Sequence, residues 1–326
     1  MTLPAVASIR ATYPESHLAV LAKPWVADIY RLFSGVDEII IFESRFDTPS
    51  GIFRLAGQLK KRKFDAAILL QNAIEAAIIA LAAGIPLRAG YDTDARGLLL
   101  THSVKRTASV KKVHQTLYYL EMVKALGCPS ADGDLHLKDR LNPAEAQKPI
   151  EKFVRNKKNL LIGIAPGATY GAEKRWFPDR FAKVADKLFG HFPAQIILLG
   201  GKDDGGTAHE IAKTSSVPLL NLAGKTTLRE AIYLIAQCDL FISNDSGLMH
   251  IAGALNIPTL AIFGSTNPVT TGPLGNNSVI IRKEVSCSPC LKETCPKDFR
   301  CMKLISVDDV FDEAQKLLRK TRGSQP

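Results

Sequence analysis

The sequence predicts an α/β protein of two Rossmann-like, doubly wound halves, and three observations predict it. Short β-branched runs alternate with longer helical patterns along the chain, the signature of parallel sheets covered on both faces. At 326 residues the chain exceeds one ordinary core, at about 100–200 residues per domain. A polar, proline-bearing stretch at 130–149 (SADGDLHLKDRLNPAEAQKP) interrupts the alternation where an interdomain linker would fall. The expected domains are residues 1–150, linker included, and residues 151–326.

In the first half the strand-like runs are 17–21, 38–42, 66–70 and 87–90, and helical patterns occupy 24–33, 50–61, 74–83 and 114–126. A second alternation begins at 159–165 and continues through 195–200, 218–221, 240–243, 259–263 and 278–282. Helices fall between these runs at 178–189, 208–214, 228–236 and 248–255. A closing helix is expected at 307–319 (VDDVFDEAQKLLR), with Ser306 as N-cap and acidic residues in its first turn. In doubly wound sheets ligands sit beyond the carboxyl ends of the strands, so the loops that follow strands are where chemistry is expected.

Hydrophobic residues at 46% and charged residues at 23% exclude a disordered, collagenous or coiled-coil chain. The net charge of +10 is diffuse, with four of the excess in residues 1–150 and six after them. Such a field favours an anionic partner without choosing among nucleic acid, phosphorylated ligand and acidic membrane. No nucleic-acid-binding motif accompanies it, and no nucleic acid is expected as a partner. Residues 1–4 (MTLP) lack the basic and apolar regions of a secretory signal, and 76–87 (AAIIALAAGIPL) is too short to span a bilayer. The longest stretch free of Asp, Glu, Lys and Arg, 246–281, is broken by prolines, glycines and asparagines. A soluble, cytoplasmic protein is expected.

Three glycine-bearing loops follow strands of the second half. The first, 166–176 (PGATYGAEKRW), offers glycines for close backbone approach, hydroxyls for phosphate oxygens and Lys174 as a point charge beside a helix N-terminus. It matches neither a Walker A nor a G-x-G-x-x-G pattern, so by spacing alone it reads equally as a strand-to-helix loop that needs glycines. In the second, 243–250 (SNDSGLMH), Asp245 or Ser246 caps a helix whose first turn Gly247 leaves bare, and His250 lies near enough to face the same ligand. A capped helix with a core histidine is the plainer account of that segment. The third loop, 264–268 (GSTNP), completes one wall of three at successive strand ends. Cys287, Cys290, Cys295 and Cys301 have plausible metal-ligand spacing, but paired zinc knuckles normally lie further apart, so thiols packing a loop are expected and no metal is assigned.

The segments PGATYGAEKRW, NDSGLMHIAGAL and IFGSTNP, in that order and spacing, resemble the lipopolysaccharide heptosyltransferases of glycosyltransferase family 9. That family uses ADP-heptose and has the two-domain GT-B fold, two Rossmann-like domains facing a cleft. The resemblance spans nearly the whole chain. GYDTDARGLLLTHSV followed by HQTLYYLEMVKALG is similar to the family's acceptor-side domain, and CSPCLKETCPKDFRCM resembles the heptosyltransferase II branch. The resemblance implies an inverting glycosyltransferase with an ADP-heptose donor, an inner-core lipopolysaccharide acceptor and no cofactor. It implies Thr169, Tyr170 and Lys174 at the diphosphate, with Lys174 as the catalytic cation. It places Asp204, with Asp203 as a near-equal candidate, at the adenosine ribose, and Thr226 by the adenosine. Asp245, Ser246, Gly247 and His250 would meet the heptose and phosphate.

Heptosyltransferases I and III, another GT-B sugar-nucleotide enzyme such as an epimerase, and a non-catalytic ADP-sugar-binding remnant remain alternatives. The remnant enters because family members begin with a strand and a Gly-Asp loop whose aspartate is the general base. This sequence starts inside that motif, and neither Thr2 nor Arg10 is a base at neutral pH. A late start assignment is the expected reason, with a gap in the first sheet and poor expression of this form as consequences. Arg88 and Arg96 are the expected grips for acceptor carboxylates or phosphates, with the lysines and arginine of 60–63 and further cations at 105–112 attracting acidic lipid.

Overall fold

The structure is a computed structural model that describes residues 1–129, 141–154, 159–168 and 171–323. Two compact units, Met1–Leu135 and His136–Pro326, account for it, and each carries parallel strands between helices.

The first unit runs α1 (Leu3–Thr12), β1 (Ala19–Ala22), α2 (Ala27–Arg31), β2 (Glu38–Ile41), α3 (Pro49–Lys60), β3 (Ala66–Leu69), α4 (Ile74–Ala82), β4 (Leu87–Tyr91), β5 (His102–Val104) and α5 (Gln115–Ala125). The strands form two parallel pieces, β1-β2 and β3-β4-β5, with no ladder between them among the described residues. Both pieces nevertheless contribute to the same cores. Ile40 of β2 packs with Ala67 and Leu69 of β3 on a cluster built on Phe42, Phe46, Leu55 and Ile79. On the second cluster Leu18 meets Ile68 and Leu70, together with Ala5 and Ile9 of α1 and Tyr118 and Met122 of α5. Helix α1 and strand β5 are additions to the elements expected from sequence.

The second unit runs α6 (Pro143–Phe153), β6 (Leu160–Ala165), α7 (Pro178–His191), β7 (Ala194–Leu198), α8 (Gly205–Thr214), β8 (Leu219–Asn221), α9 (Leu228–Ile235), β9 (Leu240–Asn244), α10 (Gly247–Ala254), β10 (Thr259–Ile262), α11 (Pro268–Thr271), β11 (Ser278–Ile281), α12 (Arg300–Lys303) and α13 (Val307–Gly323). Its six-stranded sheet has the order β11-β10-β9-β6-β7-β8, parallel throughout. The order reverses between β6 and β9, and that switch point is where a doubly wound sheet opens a crevice for ligands. Every residue of β6, β9 and β10 is buried, as central strands covered on both faces require. Trp176, Phe181, Val184 and Leu188 cover one face with Val310, Ala314 and Leu318 of α13.

The end of the expected linker is a helix. Asn142 caps α6 by accepting from the Ala144 amide at 3.0 Å, and Pro143 sits where a helix tolerates a missing N–H. Helix α6 packs on α9, and Glu145 accepts from the Tyr233 hydroxyl at 2.8 Å and pairs with Arg229. Polar composition at 142–149 therefore marked an exposed helix face rather than a free connection.

Gly163 in the middle of β6 faces Phe241 of β9, where a Cβ would lie 2.6 Å from the ring and 3.0 Å from the Cys238 sulfur. Gly163→Ala is expected to destabilise the second unit by about 1–3 kcal/mol through overpacking, read as a lower urea midpoint; an unchanged midpoint would show that the ring moves aside freely. Amides of β1 and β3, each with an edge left unpaired in a split sheet, are expected to exchange with solvent before those of β6 and β9. Equal protection in a hydrogen-exchange experiment would contradict the split.

Candidate functional site

The carboxyl ends of β6 and β9 are joined by one side chain. Asn244, the last residue of β9, is fully buried; its amide donates to the Pro166 carbonyl at 2.6 Å and accepts from the Trp176 amide at 3.1 Å. Both ends of the 166–176 loop are thus pinned to the end of the neighbouring strand. Arg175 folds the loop back by donating to the Ala168 carbonyl at 2.9 Å, and Trp176, 1% exposed, donates its indole N–H to the Ile305 carbonyl. Asn244 was not among the residues expected from sequence, although its place directly after the strand LFIS was the signal available.

The pinned loop brings Lys174 to Asp245. Their Nζ and carboxylate oxygen lie 2.8 Å apart, with the lysine side chain 15% exposed and the aspartate 5%. Ser246, not Asp245, caps α10: its hydroxyl accepts from the Met249 amide and lies 2.9 Å from the Ser243 hydroxyl. Asp245 is left to hold the ammonium. Gly247 opens the helix, exposed, and a Cβ built there would meet nothing within 4 Å, so the first turn faces open space. Helix α10 has no acidic residue in that turn, which leaves its positive end uncompensated by its own side chains. His250, half-buried, follows one turn later. The structure therefore brings Lys174, Asp245, Ser246, Gly247 and His250 to the switch point.

Asp204 stands at the carboxyl end of β7, and its carboxylate accepts from the Gly201 amide at 2.8 Å. The same carboxylate lies against Gly167, where a Cβ would come within 2.1 Å of it, which is why that loop position carries no side chain. Asp203 is exposed beside it, and Thr226, half-buried, lies between β8 and α9. Thr169 and Tyr170 lie outside the described residues.

Of the two arginines expected to grip an acceptor, Arg96 is corrected by the structure. Arg96 is fully buried, and its guanidinium donates to the carbonyls of Tyr91, Gln71, Ala73 and Leu69. It braces the 93–99 turn, where Asp94 and Ala95 adopt positive φ, against strands β3 and β4. Arg88 donates to the carbonyls of Leu99, Ile85 and Pro86. Arg96, with all three guanidinium nitrogens on carbonyls, holds loops together and has little left for a ligand, whereas the contacts of half-buried Arg88 use only Nε and Nη1. Lys60, Lys61, Arg62, Lys63, Lys105, Lys111 and Lys112 are exposed.

Comparison with known proteins agrees with this geometry. The family model "Glycosyltransferase family 9 (heptosyltransferase)" matches residues 52–299. Lipooligosaccharide heptosyltransferase 2 of Campylobacter jejuni is 36% identical over 216 residues, 65% of this chain and 66% of that protein. The protein of the same name from Haemophilus influenzae is 32% identical over 289 residues, 84% of this chain and 82% of the relative. The solved structure of Escherichia coli ADP-heptose lps heptosyltransferase II superposes with a TM-score of 0.83 at 26% identity, covering 98% of this chain and 95% of that one. The fold is GT-B, and the chain belongs to glycosyltransferase family 9, the heptosyltransferases.

Proposed function

We propose that this glycosyltransferase moves L-glycero-D-manno-heptose from ADP-heptose to the inner core of lipopolysaccharide, with inversion at the anomeric carbon. The observation that carries the proposal is the Lys174 ammonium held by Asp245 beside the open N-terminus of α10, at the switch point of the second sheet. In the reaction an acceptor hydroxyl attacks the anomeric carbon, the bond from that carbon to the diphosphate oxygen breaks, and ADP leaves with a new negative charge. Lys174 and the first-turn amides of α10 oppose that charge, the counter-charge a metal supplies elsewhere. Asp245 holds the lysine in place, so little reorganisation is needed when the charge appears.

Around this centre, Thr169 and Tyr170 complete the diphosphate contacts, Asp204 accepts from the ribose hydroxyls, and Thr226 lies by the adenosine. Ser246 and His250 meet the heptose and its phosphate. The acceptor hydroxyl must also lose a proton. The family resemblance implies an aspartate for that step. The names of the relatives favour the position of a second heptose, as does the cysteine segment. Among the described residues no helix is long and apolar enough to cross a membrane. The exposed cations at 60–63, 105, 111 and 112 suit peripheral contact with an acidic leaflet.

Lys174→Ala is expected to lower turnover by about 10²–10³. It also strands the buried Asp245, so Lys174→Ala with Asp245→Asn should recover stability without recovering turnover. Wild-type turnover in either variant would sink the assignment. Transfer to core acceptors of defined length identifies the position of the added heptose. ADP-heptose binding by calorimetry with no transfer to any of them would favour a non-catalytic ADP-sugar-binding protein. Raising salt should weaken acceptor binding more than donor binding, because the exposed cations are screened and the pinned lysine is not; equal salt dependence would remove those cations from the acceptor account.

A further inference from the structure

Three leucines that the core leaves out gather at the amino ends of β3, β4 and β5. Because these strands are parallel, the chain enters all of them at one end of the sheet piece and leaves at the other. The entering end carries Leu81 in the last turn of α4, Leu87 as the first residue of β4 and Leu98 shortly before β5, at 44%, 37% and 94% exposure. Hydrogen bonds hold these segments side by side. The Leu87 amide donates to the Asp65 carbonyl at 3.2 Å, the Thr101 amide to the Arg88 carbonyl at 2.9 Å, and the Arg88 side chain to the carbonyls of Leu99, Ile85 and Pro86.

Leu98 does not owe its exposure to a slack loop. Buried Arg96 braces the 93–99 turn from inside, and Asp94 and Ala95 hold positive φ within it, a conformation that persists only where the surroundings impose it. A single exposed leucine is ordinary surface, but three at one end of a sheet, rimmed by cations, have the composition of an interaction surface. The rim is basic. Lys60, Lys61 and Lys63 lie exposed at the end of α3 and in the connection to β3, and half-buried Arg88 adds a fourth cation. Arg62 among them is taken up by Glu38. Asp65 is the only acidic residue in the connections 60–65, 83–87 and 97–101. Leucine beside lysine suits an anionic bilayer, where ammonium groups meet lipid phosphates and leucine enters the boundary of the acyl region. An acidic protein would match the lysines as well, but the acceptor read above is itself anchored in an acidic leaflet, which favours lipid.

We propose that the amino ends of β3, β4 and β5 rest on the anionic leaflet that holds the acceptor, with Leu81, Leu87 and Leu98 entering its interface and Lys60, Lys61 and Lys63 on its phosphates. The proposal rests on the reading of a lipid-anchored acceptor and adds which face meets the lipid. Of the cations suited to a leaflet, Lys105, Lys111 and Lys112 fall outside this face. They follow β5 at its carboxyl end, where the Arg106 amide donates to the Asp92 carboxylate at 2.8 Å. The five residues of β4 span about 17 Å. The carboxyl ends of this sheet piece therefore stand in water above the leaflet, where the saccharide of a glycolipid is met and not its acyl chains.

Vesicle sedimentation decides this. The whole protein is expected to pellet with vesicles of phosphatidylglycerol and phosphatidylethanolamine and to stay in solution with phosphatidylcholine. Leu98→Asp should lower the partition about tenfold, the loss of one inserted leucine. Lys60→Gln, Lys61→Gln and Lys63→Gln together should lower it by about fivefold per lysine. The triple change Lys105→Gln, Lys111→Gln and Lys112→Gln should leave it unaltered. Circular dichroism checks that each variant folds, and Leu98→Ser takes the place of Leu98→Asp if the latter does not. Transfer to a deacylated, water-soluble core acceptor should be the same in the Leu98 variant as in the native protein, so the lipid face and heptose transfer are scored separately. Native protein that ignores acidic vesicles overturns the proposal, as does a Leu98 variant that binds them equally well or binding that follows the 105–112 lysines instead. A dimer that the Leu98 change dissociates, without vesicle binding, would give the face to a second copy of this chain and overturn it too.

Discussion

The switch point of the second sheet depends on one buried amide. Asn244 ends a strand that neighbours β6, and its side chain ties the 166–176 loop to β9 at both of the loop's ends. Remove it and a carbonyl and an amide are stranded in a buried place, at about 1–3 kcal/mol each. The larger loss would be positional. Lys174 reaches Asp245 because the loop leaves Pro166 and returns to Trp176 along a path that Asn244 sets, and the role proposed for the lysine requires that it stay on that path.

The Lys174–Asp245 pair follows from that constraint, and its environment explains its use. A nearly buried ion pair contributes little net stability, because desolvation offsets much of the attraction. What it provides is a lysine whose charge is fixed in direction and partly stripped of water, next to helix amides that point into open space at Gly247. A surface lysine would be worth less, since its interaction with a diphosphate would be weakened by solvent and salt. The same reasoning accounts for the glycines. Gly167 makes room for the Asp204 carboxylate, whereas a Cβ at Gly247 would meet nothing within 4 Å.

Legibility in the sequence followed the range of the interactions. Strands β6, β7, β9 and β10 were readable to within two residues because each is an apolar run bounded by polar or glycine residues, a local property. Lys174, Asp245, Ser246 and Gly247 were singled out because they lie in loops after parallel strands, and the structure places the first two 2.8 Å apart and the last two at the start of α10. Arg96 was misread for a physical reason. Its partners are carbonyls, 23 to 27 residues away for Gln71, Ala73 and Leu69, and nothing in the segment YDTDARGLLL distinguishes a buried guanidinium from an exposed one. Asn244 escaped for the same reason, since its partners lie 78 and 68 residues away. The segment 142–149 was misread because polar composition describes the exposed face of α6 as well as it describes a linker.

The two units differ in how their sheets are completed, and the difference bears on where precision resides. In the second unit every central strand has a neighbour on each side, and the site loops leave from strands that cannot shift without breaking ladders. In the first, β1-β2 and β3-β4-β5 share both cores but no ladder among the described residues, so their relative register rests on side-chain contacts, among them the Arg62–Glu38 ion pair. Packing without a ladder tolerates sliding that hydrogen bonds forbid, because apolar contact is non-directional whereas a strand register moves two residues at a time. Arg96 limits that freedom on one piece by tying Leu69, Gln71 and Tyr91 together, which binds β3 to β4 and leaves β1-β2 untouched. Fixed loop geometry is therefore built into the ladders of the second unit, whereas the first draws its order from helices α1, α3, α4 and α5 as much as from its two sheet pieces.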